Sequence, residues 1–187
     1  MHARVLVVYA SRHGATRGIA ERIAATLAES GVDATLEGAQ EVEDVSGFDA
    51  YVIGSAAYAT HWLKEATDFV RHHRNLLAGR PVWLFSSGPV GPEVVDKKGR
   101  DVLEASVPTE IAEFGKAIHP RGHQVFFGAY DPNQKPIGIA ERLGEGIFKL
   151  IPEAREALPS GDFRDWATID AWAGKIAREL TTVVPAA

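Results

Sequence analysis

Hydrophobic positions along the chain alternate between two kinds of spacing. Short continuous apolar runs, typical of buried strands in a parallel sheet, are separated by segments whose apolar residues recur at helical intervals. The runs predict strands at Val5–Tyr9, Val32–Leu36, Ala50–Ser55, Val82–Ser86 and Gln124–Phe127. The helical spacing predicts helices at Gly14–Ser30, Trp62–Leu77, Ile111–Ile118 and Thr168–Leu180.

Strands that alternate with helices predict a three-layer α/β fold, in which helices cover both faces of a parallel sheet. Right-handed crossovers between parallel strands leave few topologies. The first, third and fourth runs are the most apolar and therefore the most central, whereas Val32–Leu36 is expected nearer an edge. We therefore predict a doubly wound, five-stranded parallel sheet of strand order 2-1-3-4-5.

Two long segments fall outside this alternation. One runs from Gly88 to Pro108, after the fourth strand. The other, at about 130–165, is predicted to be an insertion after the fifth strand, with Ile139–Ile151 as a short helix inside it. Connections of this length are usually functional or mobile. The chain length of 187 residues otherwise fits a single domain, residues 1–187.

Composition narrows the chemistry that the chain can perform. The sequence contains no cysteine, which excludes thiolate catalysis and iron–sulfur clusters. Any redox chemistry must therefore come from a bound cofactor. No carboxylate pair stands out and the adjacent histidines of the chain point apart on a helix, so neither a catalytic acid–base residue nor a metal site is predicted.

Charge and hydropathy bear on partners and location. The net charge of −5 is mild and gives no support for nucleic-acid binding, which needs a clustered basic face. No apolar stretch is long enough to span a bilayer, and the opening MHARVLVVYA is typical of a buried strand rather than a signal peptide. We therefore expect a cytoplasmic protein. Peripheral contact with a membrane and the oligomeric state stay open.

The loop after the first strand has the properties of an anion site. It consists of Ser11, Arg12, His13, Gly14, Ala15 and Thr16. Its backbone N–H groups and the helix N-terminus can point at one anion, where Gly14 allows close approach and Ser11 and Thr16 add hydroxyl donors. The sequence has neither GxxxxGK[ST] nor GxGxxG here, which favours a monophosphate over a triphosphate or a dinucleotide. The alternative is a plain helix N-cap formed by Ser11.

Small residues followed by aromatic ones mark the loop after the third strand. A flat ring could lie against Ser55 and Ala57, with Tyr58 stacked on it and Trp62 shaping the open face. The alternative is that Tyr58 and Trp62 fill core space over the sheet. No partner carboxylate for His61 is evident in the sequence, so we expect it to be a surface or capping residue.

Ser86, Ser87 and Gly88 lead into the loop after the fourth strand. Their backbone groups could bind the edge of a heterocycle, as backbone does in many small-molecule pockets. The alternative is a Gly/Pro turn that ends the strand.

These three loops resemble those of the flavodoxin family. Ser11–Thr16 is similar to the family's phosphate loop, a Ser/Thr-x-x-Gly-x-Thr pattern, and Gly54–Trp62 and Ser86–Gly91 are similar to its loops on either side of the flavin ring. The likeness extends from Val5 to about Tyr130. It implies a flavodoxin-like fold and FMN as cofactor. The residues it implies around FMN are Ser11, Arg12, His13, Gly14, Ala15 and Thr16 for the phosphate and Ser55, Ala57, Tyr58, Ser86, Ser87 and Gly88 for the ring.

Within that family the chain is most similar to the single-domain branch that contains the menaquinone-dependent protoporphyrinogen dehydrogenase. The stretches Tyr58–Val70 and Gly161–Trp166, together with the long segment at about 130–165, carry this likeness. One departure is that this segment holds mainly aliphatic residues, whereas the insertion of the family enzyme is richer in aromatic ones.

A flavin-loaded domain of this kind fits two functions. It could be an FMN-dependent oxidoreductase that accepts electrons or hydride from a reduced organic substrate and passes them to a quinone or similar acceptor. The alternative is an electron-transfer flavodoxin that works between protein partners; a binding module without flavin is a lesser third. The loops contain Arg12, His13 and His61 but no Asp or Glu, which favours the enzyme, because carboxylates would disfavour the negatively charged reduced flavin. We therefore expect a small-molecule substrate or a redox partner.

Overall fold

The computed structural model describes residues 2–131 and 159–183. Its strands are β1 (Arg4–Ala10), β2 (Asp33–Gly38), β3 (Ala50–Tyr58), β4 (His61–Trp62), β5 (Val82–Ser87), β6 (Gly122–Phe126), β7 (Ala129–Tyr130) and β8 (Gly161–Asp162). Its helices are α1 (Ala15–Glu29), α2 (Lys64–His72), α3 (Arg74–Leu77), α4 (Val102–Ala105), α5 (Glu110–Ile118) and α6 (Trp166–Val183).

The main sheet has the order β2-β1-β3-β5-β6, and every neighbouring pair along this path is parallel. These are the five strands that the sequence predicts, so the predicted doubly wound topology is confirmed. The weakest apolar run forms β2 at one edge, and the most apolar runs form the central strands β1, β3 and β5. The two-residue strand β4, which pairs antiparallel with β3, was not predicted.

Side-chain alternation along the central strands divides the core into two layers. Val5 and Val7 of β1 face α1 and α6, whereas Leu6 and Val8 face the opposite layer, which contains α2 and α5. All four side chains are fully buried. Helix α1 covers its layer with residues spaced by one turn: Ile19, Ile23 and Leu27. Buried residues on each face of a strand recur every two positions, and those on the covered face of α1 recur every four. Both spacings are expected for a sheet that is covered by helices on both faces.

Gly54 allows the central strands to pack closely. It lies beside Phe85 in the β3–β5 register, and a Cβ atom at Gly54 would lie 2.0 Å from the Phe85 ring. The aromatic side chain therefore occupies the space that any larger residue at Gly54 would need.

The helix predicted from Trp62 to Leu77 is wrong at its start and in its middle. Trp62 belongs to β4, the helix begins at Lys64, and His73 separates α2 from α3. The cause at the start is a two-residue turn, Ala59 and Thr60, whose positive φ angles of 48° and 63° fold the chain back as a hairpin. Apolar spacing alone does not report this turn.

The two long segments are only partly described. Between 88 and 108, Val95 forms an antiparallel bridge with Asp101, and α4 follows. Strands β7 and β8 join the two described ends of the segment at about 130–165, while the helix predicted at Ile139–Ile151 lies outside the described residues. Among the helices that the structure describes, none combines the length and the apolar character that crossing a bilayer requires.

Candidate functional site

The carboxyl ends of the central strands meet at one edge of the sheet. Ala10 of β1 lies beside Ser55 of β3, Ser55 lies beside Ser86 of β5, and Ser86 lies beside Val125 of β6. The loops that follow these strands therefore leave the sheet side by side. This edge, next to the point where the strand order reverses at β1 and β3, is where open α/β sheets bind ligands.

The loop from β1 to α1 presents backbone N–H groups to this edge. Gly14 has φ +79°, a left-handed conformation that turns the chain into the helix. The N–H groups of the first helical turn, which begins at Ala15, have no partner within the helix. No acidic residue lies in that turn, so the positive end of the helix dipole is left for an external anion.

Ser11 has a local structural role in the same loop. Its Oγ accepts a hydrogen bond of 3.1 Å from the Gly14 N–H, which closes the loop. The N-cap of α1 is Gly14, without a side-chain cap bond, so Ser11 is not the N-cap of the alternative interpretation. The hydroxyl proton of Ser11 is not used by this bond, because the oxygen is the acceptor. Ser11 can therefore accept the bond that stabilises the loop and at the same time donate its hydroxyl proton to a phosphate. Thr16, the second predicted hydroxyl, is almost completely buried in α1.

The serines at the ends of β3 and β5 are committed to bonds within the protein. Both are fully buried. Ser55 Oγ accepts from the Leu63 N–H at 3.0 Å and donates to the Ala56 carbonyl at 2.8 Å. Ser86 Oγ accepts from Trp62 Nε1 at 2.7 Å and lies 2.8 Å from His123 Nε2. Their hydroxyls thus fix the loops, and only the backbone N–H and C=O groups at these two positions could bind a ligand.

Trp62 lies in the core beneath the hairpin. It is 4% exposed, and its ring centroid lies 5.4 Å from that of Phe114 on α5. This burial supports the core-packing alternative for Trp62 over a role on the open face.

His123 completes a chain of hydrogen bonds that runs from Trp62 through Ser86. Burial lowers the pKa of His123 from 6.5 to about 4, so the imidazole is neutral near pH 7. A neutral imidazole can accept from Ser86 while Ser86 accepts from Trp62, which satisfies all three groups. Sequence reasoning missed His123, because its partner lies 37 residues earlier on another strand.

The turn between β3 and β4 is strained and is held from α5. Positive φ angles are unfavourable for non-glycine residues, above all for the β-branched Thr60. The Thr60 carbonyl accepts from the Thr109 N–H at 3.0 Å. Glu110 accepts from the Trp62 N–H at 3.2 Å and lies 2.9 Å from His61 Nδ1. The surrounding structure therefore imposes the turn.

Glu110 is the carboxylate partner of His61 that the sequence did not indicate. Burial alone would raise the pKa of Glu110, but the hydrogen bonds from His61 and from the Trp62 N–H outweigh it and lower the pKa. Glu110 is therefore ionised at neutral pH. It comes from α5, 49 residues after His61, so no local pattern could have paired the two.

Two contacts draw the loops together around the edge. The Arg12 guanidinium lies 5.5 Å from the centroid of the Tyr58 ring, which joins the loop after β1 to the hairpin. A Cβ atom at Gly88 would lie 3.0 Å from the Ala57 carbonyl oxygen, so glycine lets the ends of β5 and β3 approach closely. Ser87 continues β5 beside Ala56 and is almost completely buried.

These residues fit a flavin mononucleotide. Unpaired amides, a left-handed glycine and flanking hydroxyls suit a phosphate monoester. The neighbouring surface of Ala57, Tyr58 and Gly88 combines small residues with one aromatic, which suits a planar ring. Among residues 2–131 and 159–183, no group of three or more His, Asp or Glu side chains is arranged to hold a metal ion.

Comparisons with known proteins agree with this geometry. The protoporphyrinogen IX dehydrogenase (quinone) of Escherichia coli is 28% identical over 85 residues, which cover 44% of this chain and 47% of that protein. The chain thus spans about half the length of the curated relatives it matches.

Solved structures show the same fold at low sequence identity. A flavodoxin from the domain Archaea is 16% identical with a TM-score of 0.56, covering 95% of this chain and 99% of that one. The rubredoxin oxygen:oxidoreductase of Desulfovibrio gigas is 15% identical with a TM-score of 0.59, covering 98% of this chain and 37% of that one.

A family model described as a flavodoxin domain matches residues 6–134. This range contains most of β1, all of the strands β2 to β7 and the loops at the sheet edge described above. The chain therefore belongs to the flavodoxin family, whose cofactor is FMN.

Proposed function

We propose that the protein is an FMN-dependent oxidoreductase that takes electrons from a reduced organic substrate and passes them to a quinone or a similar acceptor. Family membership supports the broader statement, a flavoprotein that is either an oxidoreductase or an electron carrier. The observation that carries the narrower proposal is the charge at the sheet edge. Arg12 lies across Tyr58, and the loops that follow β1, β3 and β5 contain no Asp or Glu up to Pro92.

In this proposal the chain binds, orients and shields the cofactor. Residues 11–16 hold the phosphate, with the amides of the first turn of α1 and the hydroxyls of Ser11 and Thr16 as donors. Ala57, Tyr58, Ser87 and Gly88 surround the ring, while Ser55 and Ser86 act through the loops they fix. Bound FMN supplies the electron-transfer chemistry, because no side chain of this chain carries electrons readily.

Arg12 is expected to make reduction easier. Reduced FMN carries more negative charge than the oxidised form, and a guanidinium nearby favours it. Two unit charges about 4 Å apart interact by roughly 4 kcal/mol at an effective dielectric constant near 20. Arg12 is partly exposed, so solvent and salt reduce this effect. An easily reduced flavin suits an enzyme that accepts electrons.

An electron carrier between proteins is the second candidate, and Glu110 favours it. This carboxylate is ionised and is bound to the hairpin that carries Tyr58, so it opposes the charge of Arg12. Its pairing with His61 offsets part of its field. The two candidates therefore predict different reduction potentials and different behaviour with small substrates.

The experiment that separates them begins with the FMN-loaded protein. The name of the E. coli relative points to a porphyrinogen as donor and a quinone as acceptor for the first assay. We expect anaerobic reduction of the bound flavin by the donor and reoxidation by a soluble naphthoquinone, followed by absorbance. Dye-equilibrated titration is expected to place the potential above that of acidic carrier flavodoxins. A low potential together with no reduction by small organic donors would favour the carrier.

A further inference from the structure

The stretch Gly161–Trp166 lies beyond the residues that match the family model, yet it reaches the phosphate loop's helix. Arg164 Nη1 donates a hydrogen bond of 3.3 Å to the carbonyl oxygen of Ala15, the first residue of α1. The same nitrogen lies 2.6 Å from where a Cβ atom at Gly18 would be. Gly18 therefore provides the space in which the guanidinium rests against the first turn of α1.

The guanidinium is held on three sides. Nε and Nη2 donate to the two carboxylate oxygens of Asp162 at 2.7 and 2.6 Å. The Trp166 ring centroid lies 4.5 Å from the Arg164 carbon Cζ. The Arg164 side chain is 16% exposed, which is low for an arginine. Its position is thus set by partners on its own segment, which lets it restrain another element.

The segment that carries Arg164 is itself anchored to the chain that follows β6. Asp162 belongs to β8, which pairs with Ala129 of β7, and the Phe163 N–H donates to the Gly128 carbonyl at 3.1 Å. Asp165 caps the next helix, α6, by accepting a hydrogen bond of 3.0 Å from the Thr168 N–H. Arg164 therefore connects this anchored segment to the start of α1.

We propose that Arg164 is a positioning residue for the phosphate of FMN. It holds the first turn of α1, whose N–H groups face the phosphate, in the orientation that binding requires. First turns lack several of the hydrogen bonds that stabilise a helix interior, so an external restraint has a large effect there. This inference rests on the FMN function proposed above and adds a residue whose hydrogen bond to the phosphate loop is to the backbone of Ala15.

A second arginine of the same chain provides a matched control. Arg22 joins α1 to the last helix, α6, through two bonds of 2.6 Å to Asp170. It lies about two helical turns, roughly 10 Å, beyond Ala15. Arg164→Met and Arg22→Met therefore each remove an arginine link between α1 and the C-terminal part of the chain, but only Arg164→Met affects the turn proposed to face the phosphate.

The test compares FMN with riboflavin, which has the same ring and no phosphate. Dissociation constants are measured by flavin fluorescence for the wild type, Arg164→Met, Arg164→Lys and Arg22→Met. We expect Arg164→Met to weaken FMN at least tenfold and riboflavin less than twofold, and Arg22→Met to change neither by more than twofold. Arg164→Lys keeps the charge but cannot form the bidentate hydrogen bond to Asp162. We therefore expect it to bind both flavins as Arg164→Met does.

Several results would overturn the proposal. Equal losses for both flavins would make Arg164 a general structural residue. If Arg164→Lys binds FMN as tightly as the wild type, the positive charge alone explains the effect of Arg164. If Arg22→Met weakens FMN as much as Arg164→Met does, the effect is not specific to the first turn of α1. If Arg164→Met does not fold, Asp162→Asn, which releases the same guanidinium, must give the same preference for loss of FMN. A wild type that binds no FMN would instead refute the proposed function.

Discussion

The two sides of the candidate site are built in different ways. On the ring side, Trp62, Ser86 and His123 form a buried chain of hydrogen bonds beneath a strained hairpin. On the phosphate side, a hydrogen bond from the Gly14 N–H to Ser11 shapes a loop that offers a ligand mainly backbone N–H groups. The ring side is thus part of the folded core. The phosphate side is a local turn at the end of a helix.

This difference predicts which properties can be separated by mutation. Changes at the more exposed positions of the phosphate side, such as Ser11, should affect ligand affinity and leave the free energy of unfolding nearly constant, whereas buried Thr16 should also affect stability. Changes on the ring side should alter stability as well as binding, because the same side chains pack the core.

The largest effect is expected from the double variant Ser11→Ala, Thr16→Ala. It removes two hydroxyl donors to a charged phosphate, each contributing about 1.5–3 kcal/mol. We expect FMN affinity to fall at least about tenfold while riboflavin affinity barely changes. Thr16→Ser, which keeps the hydroxyl, serves as the control. Equal losses of affinity for FMN and riboflavin would show that this loop does not bind the phosphate.

On the ring side, the stability of the apoprotein is expected to fall in acid because of His123. Above pH 6.5 the imidazole is neutral in both the folded and unfolded states. Below that value the unfolded chain takes up a proton that the folded protein, with a pKa of about 4, does not bind. The free energy of unfolding should therefore decrease by roughly 3 kcal/mol between pH 6.5 and 4.

Urea unfolding of His123→Gln at several pH values checks this assignment. Glutamine can still accept from Ser86 but does not titrate, so most of the slope between pH 6.5 and 4 should disappear. A smaller slope should remain, because burial and the neighbouring His72 also lower the pKa of His73. An unchanged slope in His123→Gln would exclude His123 as its source.

The same contrast explains what could be predicted from the sequence. The phosphate loop is contiguous, lying between an apolar run and a helical repeat, so Gly14 and its neighbouring hydroxyls could be proposed together. The order of the strands in the sheet could also be predicted from the sequence, because central strands are covered on both faces and must be apolar.

The ring-side contacts could not be predicted in this way. Trp62 and Ser86 are 24 residues apart, and Ser86 and His123 are 37 apart. Glu110 reaches the hairpin from a separate helix. The turn at Ala59 and Thr60 has no glycine or asparagine to signal its positive φ angles, and so the helix was predicted too early. Tertiary contacts override the local preference there.

A smaller effect is expected at Tyr58, where the two sides meet. If its ring stacks on the flavin, Tyr58→Leu should weaken the binding of FMN and riboflavin alike, by about 0.5–1.5 kcal/mol or roughly two- to twelvefold. Flavin fluorescence in the bound state should increase, because an aromatic neighbour is removed. Measurement of both dissociation constants and of the apoprotein's urea midpoint tests this. Unfolding of Tyr58→Leu without flavin would favour core packing instead.

The smallest effect concerns the strained turn itself. Thr60 has φ 63°, where a β-branched side chain is unfavourable by about 1–3 kcal/mol and glycine is not. Glycine gains freedom in the unfolded chain, which offsets part of this, so Thr60→Gly should stabilise the apoprotein by about 1 kcal/mol. Thr109→Gly, a few ångströms away, should not stabilise it, because φ at Thr109 is already −64°. A destabilised Thr60→Gly would mean that bonds to the Thr60 side chain outweigh the strain, and the ring side would then be less strained than its backbone angles indicate.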